Sequence, residues 1–159
     1  MKHRTLVLDV AGVIIDVPTR LDTETWLRIK PRFLEIPAVA SLALMRRVIR
    51  RFDCTYLVSA ASDEDIVRHT RCWLNHYRFW SVCNVPPENL HFCEPGAEEK
   101  RKIIERLPPV NLFIDDRPEN VATVAPHVER SVFYDRDEGE HVPTGVVAVR
   151  SWEDILSVS

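Results

Sequence analysis

Short apolar runs alternate with longer amphipathic segments along this chain. The runs are rich in β-branched and other apolar residues, which predicts buried strands. They occupy residues 5–8, 55–58, 90–92, 110–114, 131–134 and 146–149. Strands that alternate with helices predict a parallel sheet with helices on both faces, which is a doubly wound, Rossmann-like α/β fold.

The segments between the strands carry apolar residues three and four positions apart, as helices with one buried face do. Predicted helices cover residues 22–29, 37–52, 62–80, 96–107, 118–124 and 151–156. Ser62 or Asp63 and Ser151 are of the types that cap helix N-termini, and Pro118 suits a first helical turn. The charged stretch over residues 135–145 is predicted to be a loop.

Composition and charge are those of an ordinary globular protein. Of the 159 residues, 45% are hydrophobic and 28% are charged, so residues 1–159 are expected to form one domain with a full hydrophobic core. The net charge of -3 argues against nucleic acid as a partner, and no apolar stretch approaches the roughly 20 residues that span a bilayer. The N-terminal residues lack the pattern of a signal peptide, which predicts a cytoplasmic protein.

Carboxylates directly follow two of the predicted strands. Asp9 ends the first strand, and Asp115 and Asp116 end the strand over residues 110–114. Because ligands bind beyond the C-terminal ends of the strands in such a sheet, we expect these three carboxylates to lie together. Carboxylate oxygens are preferred ligands of hard cations, so the sequence predicts a Mg²⁺ site at this edge.

A hydroxyl and an ammonium group complete a site for a phosphoryl group. Ser59 ends the second predicted strand, and Lys100 opens the helix that leads into the strand before Asp115. The cation and Lys100 would neutralise a phosphoryl group, and Ser59 would donate a hydrogen bond to it. Asp9 would be placed to attack phosphorus as a nucleophile. The sequence therefore predicts a small phosphorylated substrate.

The order of these motifs resembles the haloacid dehalogenase superfamily. The motifs are Asp-x-x-Gly-Val from residue 9, an apolar run ending in Ser59, then Lys100, and Phe-Ile-Asp-Asp-Arg-Pro-Glu-Asn over residues 113–120. Residues 58–120 are most similar, in spacing and in the shape of the last motif, to small phosphatases of the 5′-deoxyribonucleotidase kind. Together the motifs cover most of the chain.

The resemblance implies roles for the acidic residues. Asp9 would be the nucleophile and a magnesium ligand. Asp116 would bind magnesium directly, and Asp115 would lie beside it or act through water. The backbone carbonyl of Ala11 would be a further ligand.

The resemblance also implies the contacts to the phosphoryl group. Ser59, the adjoining Ala60 and Lys100 would bind its oxygens, and Lys100 would balance the charge of the nucleophile as well. Lys102 is a rival for Lys100. Lys100 is preferred because it leaves the two following isoleucines in register with the apolar pair of the family.

The sequence departs from the phosphatases of that superfamily at Ala11. They carry an Asp there, which protonates the leaving group and later activates water. Alanine retains the backbone carbonyl, so magnesium binding is expected to persist, but acid–base assistance of about 10²–10⁴-fold is expected to be lost. Asp16 could replace the missing acid from the following loop, although a surface position is expected for it.

Three functions are compatible with this pattern. The leading one is Mg²⁺-dependent phosphoester hydrolysis through an aspartyl-phosphate on Asp9, with a weakened or substituted acid–base step. The second is a degenerate protein that binds metal or phosphate and serves as an interaction module. The third is hydrolysis of C–P or C–halogen bonds, since phosphonoacetaldehyde hydrolases share the Asp-x-Ala-Gly motif and haloacid dehalogenases also lack the second Asp.

The segment between Asp16 and Thr55 bears on the third function. It is too short for the large helical cap of phosphonoacetaldehyde hydrolases, and its only lysine is Lys30. Little or no cap is therefore expected. An open site of this kind would admit a large substrate, or a protein partner, including a second copy of the chain, could close it.

Overall fold

The computed structural model of the protein describes residues 2–137 and 141–159, and within them six strands form one parallel sheet in the order β3-β2-β1-β4-β5-β6. The strands are β1 (Thr5–Leu8), β2 (Cys54–Ala60), β3 (Leu90–Cys93), β4 (Leu112–Asp115), β5 (Arg130–Tyr134) and β6 (Val147–Val149). Successive strands run outward from β1 to β3, and β4 then returns to the other side of β1. The point between β1 and β4 is therefore the switch point, where doubly wound sheets bind ligands.

Seven α-helices cover the sheet in the described part of the chain. They are α1 (Thr23–Ile29), α2 (Leu42–Ile49), α3 (Glu64–His76), α4 (Phe79–Cys83), α5 (Ala97–Arg106), α6 (Pro118–Val124) and α7 (Trp152–Val158). Short 3₁₀ turns occupy Lys30–Glu35, Pro87–Asn89 and Ala125–His127. The predicted doubly wound α/β fold is confirmed.

Alternation along the strands decides which helices cover which face. Leu6 of β1 is buried in the larger core with residues of α1 to α4 and α7, whereas Val7 is buried in the smaller core with residues of α5 and α6. Phe113 of β4 also lies in the smaller core. The residues two positions after Val7 and Phe113 are Asp9 and Asp115, so the same alternation turns both carboxylates toward α5.

The helix predicted over residues 37–52 is shorter in the structure. α2 begins after Ser41, whose hydroxyl accepts a hydrogen bond from the amide of Leu44 at 3.2 Å. Before Ser41 the chain is held away from a helix, because Val39 donates a backbone hydrogen bond to the carbonyl of Ile14 at 2.8 Å. Pairing with the loop after β1 outweighs the helical pattern there.

The helix predicted over residues 62–80 is divided in two. α3 ends at His76, and α4 begins at Phe79. Between them, Arg78 has a φ of 57°, in the left-handed region that residues other than glycine seldom adopt. Its amide donates a hydrogen bond to the carbonyl of Asn75 at 3.0 Å, which closes the last turn of α3.

The segment over residues 23–36, which we call the anchored segment, lies against α3. Trp73 of α3 donates a hydrogen bond from Nε1 to the carbonyl of Ile36 at 2.9 Å, and the hydroxyl of Tyr77 donates one to the carbonyl of Leu34 at 2.6 Å. The anchored segment consists of α1 and one 3₁₀ turn, which agrees with the expectation of little cap.

The remaining expectations concern a loop, a helix cap and the membrane. Residues 135–137 and 141–145 of the predicted loop form neither helix nor strand, and residues 138–140 lie outside the described residues. Ser151 caps α7 as predicted and accepts a hydrogen bond from the amide of Asp154 at 3.1 Å. Within residues 2–137 and 141–159, no helix has the length and apolarity needed to cross a membrane.

Candidate active site

The amine of Lys100 lies between two carboxylates at the switch point. Its Nζ donates hydrogen bonds to Oδ1 of Asp9 at 2.9 Å and to Oδ2 of Asp115 at 2.7 Å. The three side chains are buried, with exposed fractions of 2%, 8% and 0%. Leu8 of β1 pairs with Ile114 of β4, so the next residues of the two strands, Asp9 and Asp115, reach the edge of the sheet side by side.

The position of each lysine on α5 explains why Lys100, and not Lys102, reaches the carboxylates. Ile104, four residues after Lys100, is buried in the smaller core, so the two residues share the face of α5 that packs on the sheet. Lys102 lies on another face, is half exposed, and pairs with Glu99 at 2.8 Å. Of the two rivals predicted from the sequence, the structure brings Lys100 to the carboxylates.

Asp115 is fully engaged by its neighbours. Besides the Lys100 amine, its oxygens accept hydrogen bonds from the backbone amide of Arg117 at 2.9 Å and from Nδ2 of Asn120 at 3.0 Å. The sequence prediction assigned no separate role to Asn120. In the structure Asn120 is buried on α6 beside the apolar Val121. The only sequence feature that could have pointed to it is a polar residue directly before an apolar position of this helix.

Asp116 lies on the other side of the cluster, against the loop after β1. A Cβ atom at Gly12 would lie 2.0 Å from Oδ2 of Asp116, and Gly12 has a φ of +83°, so only glycine fits. Asp116 is buried, and among the described residues its Oδ2 has no hydrogen-bond partner. A buried carboxylate oxygen without a partner is costly, and a cation would satisfy it.

The charges of the cluster favour a divalent cation. Ligand atoms of Asp9, Asp115 and Asp116 all lie within 4.8 Å of one another. Burial, and next the charge of Asp115, raise the pKa of Asp9 to about 6 against the opposing effect of Lys100. Burial, together with the charges of Asp9 and Asp115, raises the pKa of Asp116 well above its usual range. Three carboxylates beside one ammonium leave negative charge that an oxygen-bound cation such as Mg²⁺ neutralises, so the residues present fit that ion.

Lys100 is the positive charge of the cluster. Burial alone lowers the pKa of its amine, but the neighbouring Asp115 and Asp9 raise it by more, so the net shift is upward. The amine therefore stays protonated at neutral pH.

A cavity of about 140 Å³ adjoins the cluster. Ser59 and Ala60, at the end of β2, line it together with Ala11. Val10 and Arg117 also line it, and these two residues directly follow Asp9 and Asp116. The structure thus brings the predicted carboxylates and Lys100 into one cluster and the predicted phosphate-binding residues to the neighbouring cavity.

Two residues that the sequence left open form ion pairs outside the group of three carboxylates. The side chain of Asp16 is 45% exposed and forms an ion pair with Arg136, so its expected surface position is confirmed. Lys30 pairs with Asp65 of α3 at 2.8 Å. Neither Asp16 nor Lys30 lines the cavity beside Ala11.

The fold of this chain is similar to that of solved haloacid dehalogenase-like hydrolases, as the sequence motifs predict. No protein-family model matches the sequence, and a search of curated proteins finds no match either. The similarity is therefore one of structure, and the finer resemblance to 5′-deoxyribonucleotidases stays a prediction.

Several solved structures share this architecture. One is the magnesium-bound putative HAD-hydrolase YfnB from Bacillus subtilis, with 12% identity, a TM-score of 0.65 and coverage of 99% of each chain. Another is D,D-heptose 1,7-bisphosphate phosphatase from B. bronchiseptica in complex with magnesium and phosphate, with 14% identity, a TM-score of 0.62 and coverage of 98% of this chain and 97% of that chain. A dehalogenase matches with 10% identity, a TM-score of 0.61 and coverage of 99% and 97%.

The first prediction concerns the unpartnered carboxylate of Asp116. Without divalent cations near neutral pH, Asp116→Asn should raise the free energy of unfolding by about 1–3 kcal/mol, because it removes a buried carboxylate whose Oδ2 has no hydrogen-bond partner in the described part of the chain. Mg²⁺ should raise the Tm of the wild type and have little effect on the variant. Thermal unfolding with and without Mg²⁺ measures both effects.

The pH dependence of stability follows from Asp9. Its pKa is about 6 in the folded protein and 3.8 as the reference for the unfolded chain. Between these values the folded state retains a proton that the unfolded state has released, so stability without cations falls as pH rises through this interval. Mg²⁺ should remove most of this loss. The control for Asp116→Asn is Asp63→Asn, at the N-cap of α3, because Asn caps a helix as well as Asp does. A Tm of the wild type that does not change when Mg²⁺ is added would contradict a cation site.

A second prediction separates the two lysines of α5. Lys100→Met should lower the free energy of unfolding by about 3–5 kcal/mol, because it leaves two buried carboxylates without their ammonium partner. Lys102→Met removes only an exposed ion pair and should change stability by about 0.5 kcal/mol or less. Urea unfolding at neutral pH compares the two variants. Equal losses would show that Lys100 does not hold the cluster together.

Proposed function

We propose that this protein is a Mg²⁺-dependent phosphoester hydrolase that acts through an aspartyl-phosphate on Asp9. The observation that carries the proposal is the position of the Asp9 carboxylate. It is buried, accepts a hydrogen bond from the Lys100 amine at 2.9 Å, and is grouped with two further carboxylates. The adjoining cavity of about 140 Å³ suits a small phosphorylated substrate. The likeness in fold to a phosphatase solved with magnesium and phosphate supports the same class of chemistry.

In the proposed reaction an oxygen of Asp9 attacks phosphorus. Lys100 holds this carboxylate at the edge of the sheet and offsets part of its charge, which favours approach of an anionic phosphoryl group. Ser59 and Ala60 of β2 receive the phosphoryl oxygens, with the hydroxyl of Ser59 as donor. Ser59 and Ala60 are the last two residues of β2, which lies beside β1 in the sheet, and this position supports their proposed roles.

The cation would be held by Asp9 and Asp116 directly and by the backbone carbonyl of Ala11. Asp115 accepts hydrogen bonds from three neighbours, whereas Oδ2 of Asp116 has no hydrogen-bond partner in the described part of the chain. This difference supports Asp116 as the direct ligand and Asp115 as the residue that holds Lys100. When bound, Mg²⁺ supplies the positive charge that stabilises the transferring phosphoryl group.

The second half of the reaction is water attack on the aspartyl-phosphate. Addition of one water molecule releases the Asp9 carboxylate and dihydrogen phosphate, so charge and atoms balance. Ala11 cannot take a proton from this water. Hydrolysis of the aspartyl-phosphate is therefore expected to be the slow step.

Ala11 is also the observation that favours a second candidate function. A chain that binds the cation and phosphate but does not turn over would serve as a binding or interaction module. The proposal of C–P bond hydrolysis has less support, because Lys30, the only lysine of the segment between β1 and β2, is paired with Asp65.

The test is release of phosphate from nitrophenyl phosphate with Mg²⁺. We expect slow turnover by the wild type and none by Asp9→Asn, which has the same shape but lacks the nucleophilic charge. Lys102→Met serves as the control and should retain wild-type activity. Beryllium fluoride that binds to Asp9 without any turnover of substrate would favour the binding module.

Restoring the missing acid tests the rest of the site. Ala11→Asp should raise turnover by about 100-fold or more, since general acid–base catalysis contributes about 10²–10⁴-fold. The gain should also depend on Asp9, so the double variant Asp9→Asn, Ala11→Asp should be inactive. Steady-state kinetics of the wild type and of these two variants provide the comparison. Absence of turnover in both wild type and Ala11→Asp would sink the hydrolase proposal for aryl phosphates.

A further inference from the structure

We propose that the cavity beside Ala11 binds the leaving group of the substrate, and that this group is compact, apolar and departs as an unprotonated anion facing Arg117. The inference rests on the hydrolase proposed above and narrows its substrates to phosphorylated phenols and carboxylic acids. Their shared chemistry is a weakly basic oxygen bonded to phosphorus.

The position of the cavity supports this assignment. Val10 and Ala11 on one side directly follow the proposed nucleophile, Asp9, and Ser59 on another side is the proposed phosphate contact. A phosphoryl group held between Asp9 and Ser59 would therefore point its remaining substituent into this cavity.

Its size and lining define what fits. The cavity has a volume of about 140 Å³, and an engineered apolar cavity of about 150 Å³ accommodates benzene. Most of the lining side chains are apolar, among them Trp26, Phe33 and Ile66. The polar side chains of the lining are those of Ser59, Ser62, Thr70 and Arg117. A single aromatic ring or a short acyl group matches this space, whereas a sugar would bury hydroxyl groups against apolar side chains.

The walls of the cavity are held in place before any substrate binds. The rings of Trp26 and Phe33 meet edge to face, with centroids 5.6 Å apart, and both contact the ring of His69 of α3. The hydrogen bonds of Trp73 and Tyr77 fix the end of the same segment. A preformed pocket favours a ligand of fixed shape, because little ordering is needed when it binds.

No acid that could protonate a departing oxygen is among the described residues that line the cavity. Of the described residues that line it, Arg117 is the only ionisable one, and arginine does not release its proton in proteins. Ala11 offers a methyl group. In the proposed step the bond between Asp9 and phosphorus forms, the bond between phosphorus and the leaving oxygen breaks, and both electrons of that bond stay on the leaving oxygen.

Arg117 supplies the charge that such an anion needs. Its Nε donates a hydrogen bond to the carbonyl of Thr19 at 3.1 Å, which fixes the plane of the guanidinium. Its two terminal nitrogens donate no hydrogen bond to any residue that the structure describes. A half-buried guanidinium with free donors, at the rim of an apolar cavity, stabilises a phenolate or carboxylate without proton transfer.

The main experiment compares substrates with different leaving groups. For the wild type, kcat/KM should fall by more than about 100-fold from nitrophenyl phosphate to phenyl phosphate, because no acid assists the poorer leaving group. In Ala11→Asp the same ratio should shrink to about 10-fold or less. Acetyl phosphate should be a good substrate, and glucose 6-phosphate a poor one.

The outcomes distinguish this inference from the function on which it rests. Asp9-dependent turnover with equal kcat/KM for both aryl phosphates, or with sugar phosphates preferred, overturns the inference and leaves the hydrolase standing. Absence of Asp9-dependent phosphate release from every substrate overturns both.

Two matched pairs of variants test the cavity itself. Ile66→Phe fills part of it and should lower kcat/KM for phenyl phosphates by about 10-fold or more while sparing acetyl phosphate, since about 1.4 kcal/mol corresponds to a factor of ten. Val67→Phe, on the same helix but outside the cavity lining, should behave as wild type. Equal effects of both substitutions on both substrates would place the leaving group elsewhere.

Arg117→Gln should lower kcat/KM for nitrophenyl phosphate by about 100-fold, the usual loss when one donor to a developing anion is removed. Arg117→Lys should recover part of it, and inhibition by inorganic phosphate should be unchanged in both. Arg20→Gln is the control, because Arg20 pairs with Glu119 at 3.4 Å and does not line the cavity. A similar loss in Arg20→Gln, or no loss in Arg117→Gln, refutes the role of Arg117.

Discussion

The site depends on one buried ammonium that holds two strand ends together. Lys100 reaches from α5 to Asp9, directly after β1, and to Asp115 of β4, and each pair is buried. Burying these charges costs solvation, and only their mutual attraction and close hydrogen bonds offset that cost. Oδ2 of the third carboxylate, Asp116, has no hydrogen-bond partner among the residues that the structure describes. The cluster is therefore arranged for binding a cation at the expense of the stability of the empty fold.

Two neighbouring acids of the chain have different surroundings because Asp115 is the last residue of β4 and Asp116 is the first residue after it. Asp115 turns toward α5 and α6 and accepts hydrogen bonds from Lys100, the amide of Arg117 and Asn120. Asp116 turns toward the loop after β1, where Gly12 leaves space for its carboxylate. The first acid thus fixes the lysine, and the second keeps an oxygen available. A pair of adjacent aspartates in sequence gives a structural group and a binding group in space.

The sheet and most of the cluster were accessible from the sequence because they depend on local patterns. Buried parallel strands are continuous apolar runs, and their C-terminal residues must meet at one edge. The start of α2 was not accessible, because a backbone hydrogen bond from Val39 to Ile14 overrides the helical period there. The break between α3 and α4 was not accessible either, because Arg78 adopts the left-handed conformation although it is not a glycine. Arg117 and the cavity beside Ala11 depend on how the anchored segment meets α3, which no local pattern specifies.

Ala11 and Gly12 are adjacent, but the space available for a side chain differs between them. At position 12 the carboxylate of Asp116 occupies the space of any side chain, while the side chain at position 11 borders a cavity. Under the proposed function, a different side chain at position 11 would therefore change the acid–base chemistry without disturbing the space that Gly12 leaves for Asp116. Reactivity and metal affinity would then be separable, so chains that keep the same acidic cluster could differ in chemistry through a single side chain.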